Sequence, residues 1–166
     1  MVSPGNPLKR SAGMAPFADR LASALCLADG RRILATSIER ALCTSYTYDT
    51  LRVLRRRFPL VRFVWLMGAD NLVQLPQWQR WIGIARAMPF AVMPRPTYNQ
   101  RALSGLAAWR LRPALVPARA APVLPRLRAP AWTFLPARQN GTSATALRSQ
   151  QALTWPPDRA KTTLNS

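Results

Sequence analysis

Residues 61–71, VRFVWLMGADN, decide the fold. Val61, Phe63, Val64, Trp65, Leu66 and Met67 make a nearly unbroken apolar run of strand length. Such a run predicts a strand buried on both faces, as in a parallel sheet covered by helices. It stops at Gly68-Ala69-Asp70. A glycine admits close backbone approach there, and an aspartate can cap a following helix or hold a ribose hydroxyl. In open α/β sheets, ligands bind just beyond the carboxyl ends of the strands. The corner is therefore a nucleotide or sugar site, or else a plain strand–turn–helix corner with Asp70 as its N-cap.

Upstream, residues 49–58 predict a helix. Leu51, Leu54 and Phe58 share one face, while Arg52, Arg55, Arg56 and Arg57 look mostly outward as a solvated face. Pro59 ends it, and TSYTYD at 44–49 forms a polar and aromatic loop before it. Residues 32–38 alternate and predict a strand. Residues 14–28 predict a helix with Pro16 in its first turn and Asp29-Gly30 as its stop. Val2-Ser3 reads as the tail of a strand, followed by a loop rich in Pro and Gly.

Downstream, residues 71–75 predict a short helical turn broken by Pro76, and 77–87 a helix carrying Trp78, Trp81, Ile82 and Ala85. Residues 90–93 predict a short strand closed by Pro94-Arg95-Pro96. This βαβαβ-like succession implies a parallel sheet with crossover helices. Residues 103–111 are a further helix candidate, the prolines from Pro113 to Pro130 predict an irregular segment, and 131–135 an edge strand. Residues 141–150 read as a loop running into a helix, and nothing is patterned from 154 onward. The expectation is one α/β domain over residues 1–150 and a disordered tail over 151–166.

With 166 residues, nearly half of them hydrophobic, the chain can bury a sizeable core. Its net charge of +18, with six acidic residues and no histidine, predicts a polyanionic partner, nucleic acid or phosphate-bearing substrate. Arg, Ala and Pro are enriched together along the whole chain, which coding-sequence composition also produces. The arginines are spread rather than clustered with aromatics, so no specific nucleic-acid partner is expected. Cys26 and Cys43 have no metal or redox spacing. A reduced, cytoplasmic protein without a membrane partner is the simplest fit, since no apolar run approaches the roughly 20 residues of a span.

Three places combine groups that could carry chemistry. In Thr142-Ser143-Ala144-Thr145-Ala146-Leu147-Arg148, small and hydroxylated residues at a helix start would offer free N–H groups to an anion, with the Arg148 fork one turn on. Ser or Thr at an N-cap is also common for structural reasons alone. Ser45-Tyr46-Thr47-Tyr48-Asp49 is a hydroxyl-rich loop able to read a planar polar ring or a carboxylate. Trp78 follows the Gly-Ala-Asp corner closely enough to stack on a ring, or it serves as a packing tryptophan.

Taken together these pieces resemble the bacterial nicotinate-nucleotide adenylyltransferases. The resemblance runs through SPGNPLK, MAPFADRL, SYTYDTL, VRFVWLMGADNL, the tryptophan after it, AVMPRPTY and SATALR, roughly from Met1 to Arg148. It implies a Rossmann-like nucleotidyltransferase sheet and transfer of an adenylyl group from ATP, with Mg²⁺, to nicotinate mononucleotide. It places Gly68 and Asp70 at the adenosine ribose, and Ser143, Thr145 and Arg148 at the ATP phosphates. Thr47 and Trp78 would serve the nicotinate pocket, by hydrogen bond and by stacking. Asn6 and Lys9 would lie on the loop facing the nucleotide phosphate.

The family opens with a Gly-rich strand–loop–helix bearing a His-x-Gly-His-type pair, which this chain does not carry. Met1-Val2-Ser3 corresponds to the family's second strand, so the expected sheet lacks its first strand and carries exposed strand edges. Losing the histidine loop should slow transfer by several orders of magnitude, because such catalysis is largely positioning and charge stabilisation. A start lying further upstream is the expected explanation. The alternatives are a catalytically dead nucleotide-binding remnant and a small basic nucleic-acid-binding protein.

Overall fold

In the computed structural model, which describes residues 1–3 and 15–137, the apolar run at 61–67 becomes strand only near its end. Strand β1 spans Trp65–Gly68, β2 Phe90–Met93 and β3 Trp132–Phe134. They form a parallel sheet in the order β1-β2-β3, with Trp65 opposite Phe90 and Phe90 opposite Trp132. The expected α/β architecture, a parallel sheet flanked by helices, is what the chain adopts.

Helix α1 (Phe17–Leu27), α2 (Ile38–Ala41) and α3 (Thr47–Arg57) precede the sheet. Helices α4 (Ala69–Gln74) and α5 (Trp81–Ala87) connect β1 to β2, and α6 (Asn99–Ser104) and α7 (Leu106–Arg110) follow β2. One face of the sheet supplies Met67, Phe90, Val92 and Trp132 to the main core. Leu51 of α3, Leu72 of α4, Ile84 of α5 and Leu111 after α7 meet them there. Each large apolar side chain buried in this way contributes on the order of 1.5–3 kcal/mol. The Trp132 indole donates to the Leu111 carbonyl at 2.8 Å, tying β3 to the end of α7.

The opposite face is thinner. A 3-10 helix, Ala118–Arg126, sets Leu124 against Ala91 and Ala131. Leu66, opposite Ala91 in register, stays 58% exposed, so the expectation of a strand buried on both faces is corrected. The second layer covers the β2–β3 side of that face and leaves Leu66 outside it.

The predicted strand at 32–38 does not form. The Asp29 carboxylate accepts from the backbone N–H groups of Arg31, Arg32 and Ile33 at 2.8–2.9 Å, so this backbone is committed to a turn. The same donors, Ile33 first, hold that carboxyl below the ordinary aspartate range. Further along, Thr36 accepts from the Val2 N–H at 2.8 Å, and Ser37 already caps α2.

Other boundaries move for local reasons. Helix α3 starts at Thr47, two residues before the predicted start, with Asp49 as an acid in its first turn. The helix predicted over 77–87 starts only at Trp81. Gln77 closes the 3-10 turn Leu75–Gln77, Trp78 is extended, and Arg80 sits in the left-handed region at φ 54°. Pro16 is the N-cap of α1 rather than part of its first turn. Gly105 splits the predicted helix at 103–111 into the end of α6 and α7. The proline-rich stretch adopts 3-10 turns, Arg112–Ala114 and Ala118–Arg126, which tolerate Pro122 and Pro125 better than an α-helix does.

Strand β3 falls inside the predicted 131–135, and its Trp132 and Thr133 are fully buried. The predictions at 141–150, the domain end at 150 and the tail lie outside the described residues. Among the described residues no helix is long and apolar enough to cross a membrane.

Candidate active site

Two strand ends come together beside α4. Gly68 closes β1 and Asp70 lies in the first turn of α4, where the helix macrodipole favours its charge. After β2, the Arg95 Nε stands 3.4 Å from Asp70 Oδ1. That oxygen is buried and has no hydrogen-bond donor among the described residues, so the pairing with half-exposed Arg95 is a loose ion contact. A Cβ on Gly68 would collide with Asp70 Oδ1 and approach Arg95 Nε to 3.1 Å. The glycine is what lets the carboxylate fold back over the strand end.

Next to this corner lies a cavity of about 430 Å³. Its walls include Thr47 at the start of α3, Trp65 of β1, Asn71 of α4 and Trp78 of the extended link into α5. The two residues singled out as a ring-binding pair, Thr47 and Trp78, therefore meet on one cavity. Asn71, the neighbour of Asp70, connects it to the Gly68–Asp70 corner.

Trp78 packs against the core and also lines the cavity. Its ring packs on Trp65, with centroids 5.8 Å apart, and that contact continues through Phe90 to Trp132. Its Nε1 is buried and has no acceptor among the described residues. The N-cap of α3, Tyr46, makes no side-chain cap hydrogen bond. The first N–H groups of that eleven-residue helix thus have no intrahelical acceptor and can receive an anionic group.

Glu39 also lines the cavity, and nothing in the sequence pointed to it. It is 4% exposed. Its Oε1 accepts from Thr50 Oγ1 at 3.2 Å, and Thr50 Oγ1 is 2.7 Å from Thr44 Oγ1. Its Oε2 is buried without a partner among the described residues.

A more open groove of about 520 Å³ runs between α3 and α5, lined by Arg52, Arg55, Arg56 and Arg86. Of the hydroxyl-rich loop 45–49 it takes in only Tyr48, and it contains none of the residues assigned to ATP or to the mononucleotide. Arg55 is not merely solvated: its Nη1 donates to the Ala87 carbonyl at 2.7 Å, satisfying the end of α5.

No family model matches the chain. It is 58% identical over 148 residues to a protein of Gluconobacter oxydans named "Probable nicotinate-nucleotide adenylyltransferase", covering 89% of this chain and 76% of that relative. A protein of the same name from Parvibaculum lavamentivorans is 51% identical over 150 residues, covering 90% of this chain and 75% of the relative. Another from Brucella abortus is 44% identical over 151 residues. The chain belongs to the nicotinate-nucleotide adenylyltransferase family.

Within this adenylyltransferase framework the structure gathers Thr47 and Trp78 on the cavity and Gly68 and Asp70 at the adjacent strand end. Asn6, Lys9, Ser143, Thr145 and Arg148 lie outside the described residues. Among the described residues, no group of three or more His, Cys, Asp or Glu comes together as a metal cluster. Arg95 and Glu39 were not singled out from the sequence as site residues. Arg95 sits between Pro94 and Pro96, whose local signal is the end of a strand. Glu39 is one carboxylate in SIERAL and acquires a site only through tertiary contacts with Thr50.

Proposed function

We propose that this chain transfers an adenylyl group from ATP to nicotinate mononucleotide, giving deamido-NAD and pyrophosphate, in the cytoplasm. Family membership supports the reaction class, and the convergence of Thr47 and Trp78 on one cavity carries the assignment of the acceptor site. In this reading the pyridine ring lies against Trp78, and its carboxylate meets the Thr47 hydroxyl and the free N–H groups at the start of α3. ATP enters with Mg²⁺ as its counter-ion over the ends of β1 and β2, where Asp70 accepts from the adenosine ribose. Ser143, Thr145 and Arg148 would hold its phosphates, and Asn6 and Lys9 would face the phosphate of the mononucleotide.

The step needs little acid–base chemistry. A phosphate oxygen of the mononucleotide, already deprotonated near neutral pH, attacks the α-phosphorus in line. The bond between the α-phosphorus and the bridging oxygen breaks and pyrophosphate leaves with the electron pair; Mg²⁺ bound with ATP would offset the charge on that leaving group. The protein's part is to align the two phosphates and to neutralise the charge that builds on the leaving group.

The test is pyrophosphate release from the chain, and from a version extended upstream with the family's His-bearing segment, with each substrate alone and with both. Release that needs both substrates is expected. Trp78→Ala should raise the KM for nicotinate mononucleotide by roughly 10- to 100-fold, the size of one ring-stacking contact, with the KM for ATP unchanged. Equal effects on both substrates would remove Trp78 from the pyridine site, and no release from either chain would remove the reaction.

A further inference from the structure

We propose that Glu39 accepts a hydrogen bond from a ribose hydroxyl of the mononucleotide held in the cavity; this rests on the acceptor site proposed above. A carboxylate that is 4% exposed normally has both oxygens served by donors, because an ionised group out of water is costly to leave unpaired. Here, among the described residues, only one oxygen has a donor. Thr50 Oγ1 can donate to Oε1, and Thr44 Oγ1, 2.7 Å from it, can donate in turn to Thr50. This hydroxyl chain, whose Thr50 proton also has the Tyr46 carbonyl at 3.2 Å, ties Glu39 at the start of α2 to the first turn of α3. Oε2 is left buried without a partner among the described residues, in a side chain that lines the cavity.

The chemistry of the missing donor follows from the charges of the ligand. Nicotinate mononucleotide offers three kinds of polar group: a ring carboxylate, a phosphate and the sugar hydroxyls. Both anionic groups are repelled by a carboxylate, and neither donates near neutral pH. The hydroxyls are neutral donors, and a buried carboxylate accepting from a ribose hydroxyl is a familiar pairing in nucleotide sites. The sugar also lies between ring and phosphate. Glu39 lines the same cavity as Thr47 and Trp78, so the sugar of a mononucleotide held there is within the cavity that Glu39 helps to wall.

The experiment is calorimetric titration of the 166-residue chain and of Glu39→Gln with nicotinate mononucleotide, its 2′-deoxy and 3′-deoxy analogues, and nicotinate alone. The wild-type chain should bind one of the deoxy analogues roughly 10- to 100-fold more weakly than the parent, the loss of one hydrogen bond to a charged acceptor. In Glu39→Gln the parent should weaken by a similar factor and most of the difference between parent and that analogue should vanish. Nicotinate alone should bind both chains equally. If the wild-type chain holds both deoxy analogues as tightly as the parent, the proposal is overturned whether or not the variant folds. Equal weakening of nicotinate and mononucleotide in Glu39→Gln would also overturn it, reducing Glu39 to a support for the loop. A wild-type chain that binds no mononucleotide at all removes the acceptor site itself, and the role of Glu39 with it.

Discussion

The ring of Tyr48 lies on the backbone of Gly83, so close that a Cβ there would stand 2.5 Å from Tyr48 Cε2. This contact seats α3 on α5, with Arg52 and Arg80 over the Tyr48 ring at 5.5 and 5.4 Å. Alanine is ordinarily better than glycine inside a helix, by up to about 1 kcal/mol. Gly83→Ala should nevertheless destabilise the fold by about 1–3 kcal/mol, because the added methyl has no room unless the ring and its helix move. Thr47 adjoins Tyr48, so the same variant should raise the KM for nicotinate mononucleotide more than that for ATP. Thermal unfolding and the two KM values check this; an unchanged melting temperature would mean that the helices are not in this contact.

Gly68 meets a different constraint. Its backbone, at φ −82° and ψ 159°, is one that any residue adopts, so Gly68→Ala carries no conformational strain. The collision is with the Asp70 carboxylate, and the Arg95 side chain at 3.1 Å must also give way. The variant should keep most of its stability while weakening ATP binding about tenfold, the size of one hydrogen bond to a charged group. Asp70→Asn should weaken ATP binding to a similar degree, and the double variant should lose little more than either single one. Additive losses in ATP titrations would show that the glycine acts by another route.

Thr133 is fully buried in β3, and its Oγ1 has no partner among the described residues. Thr133→Val keeps the shape and removes a hydroxyl that has lost water without gaining an acceptor. It should stabilise the fold by about 1 kcal/mol, read as a higher midpoint in urea unfolding. A lower midpoint would mean that the hydroxyl is satisfied in solution.

How much of this was legible in the sequence depended on how local the signal was. Phe90–Met93 is bounded by Pro89 and Pro94 and was read to the residue. Trp132–Phe134 was found because its apolar run outweighed the prolines around it. Residues 32–38 carried an alternation of their own, yet Asp29, three to four residues before Arg32 and Ile33, captures their N–H groups. Alternation reports which residues could face a core, not whether a partner strand stands beside them. In the site, Thr47 and Trp78 were readable as residue types able to hold a ring. Their meeting across one cavity is a tertiary fact, set by the left-handed turn at Arg80 and the Tyr48–Gly83 contact. Glu39 carried no local signal, because a lone glutamate beside an arginine reads as solvated surface.

Leu66 is the side chain in β1 that the sequence assigned to the core and the structure leaves 58% exposed. Among the described residues β1 pairs with β2 alone, and none of them pairs with its other edge. Leu60 and Val61, just upstream, are 96% and 51% exposed. An apolar patch beside an open strand edge invites pairing between chains. Leu66→Lys should therefore reduce self-association of this chain in sedimentation and light scattering at matched concentration. The unfolding midpoint should move by no more than the ~0.5 kcal/mol typical of surface changes. A loss of several kcal/mol instead would mean that Leu66 is covered when the chain folds in solution, and that the sequence reading of a strand buried on both faces describes the folded chain better than the exposed edge does.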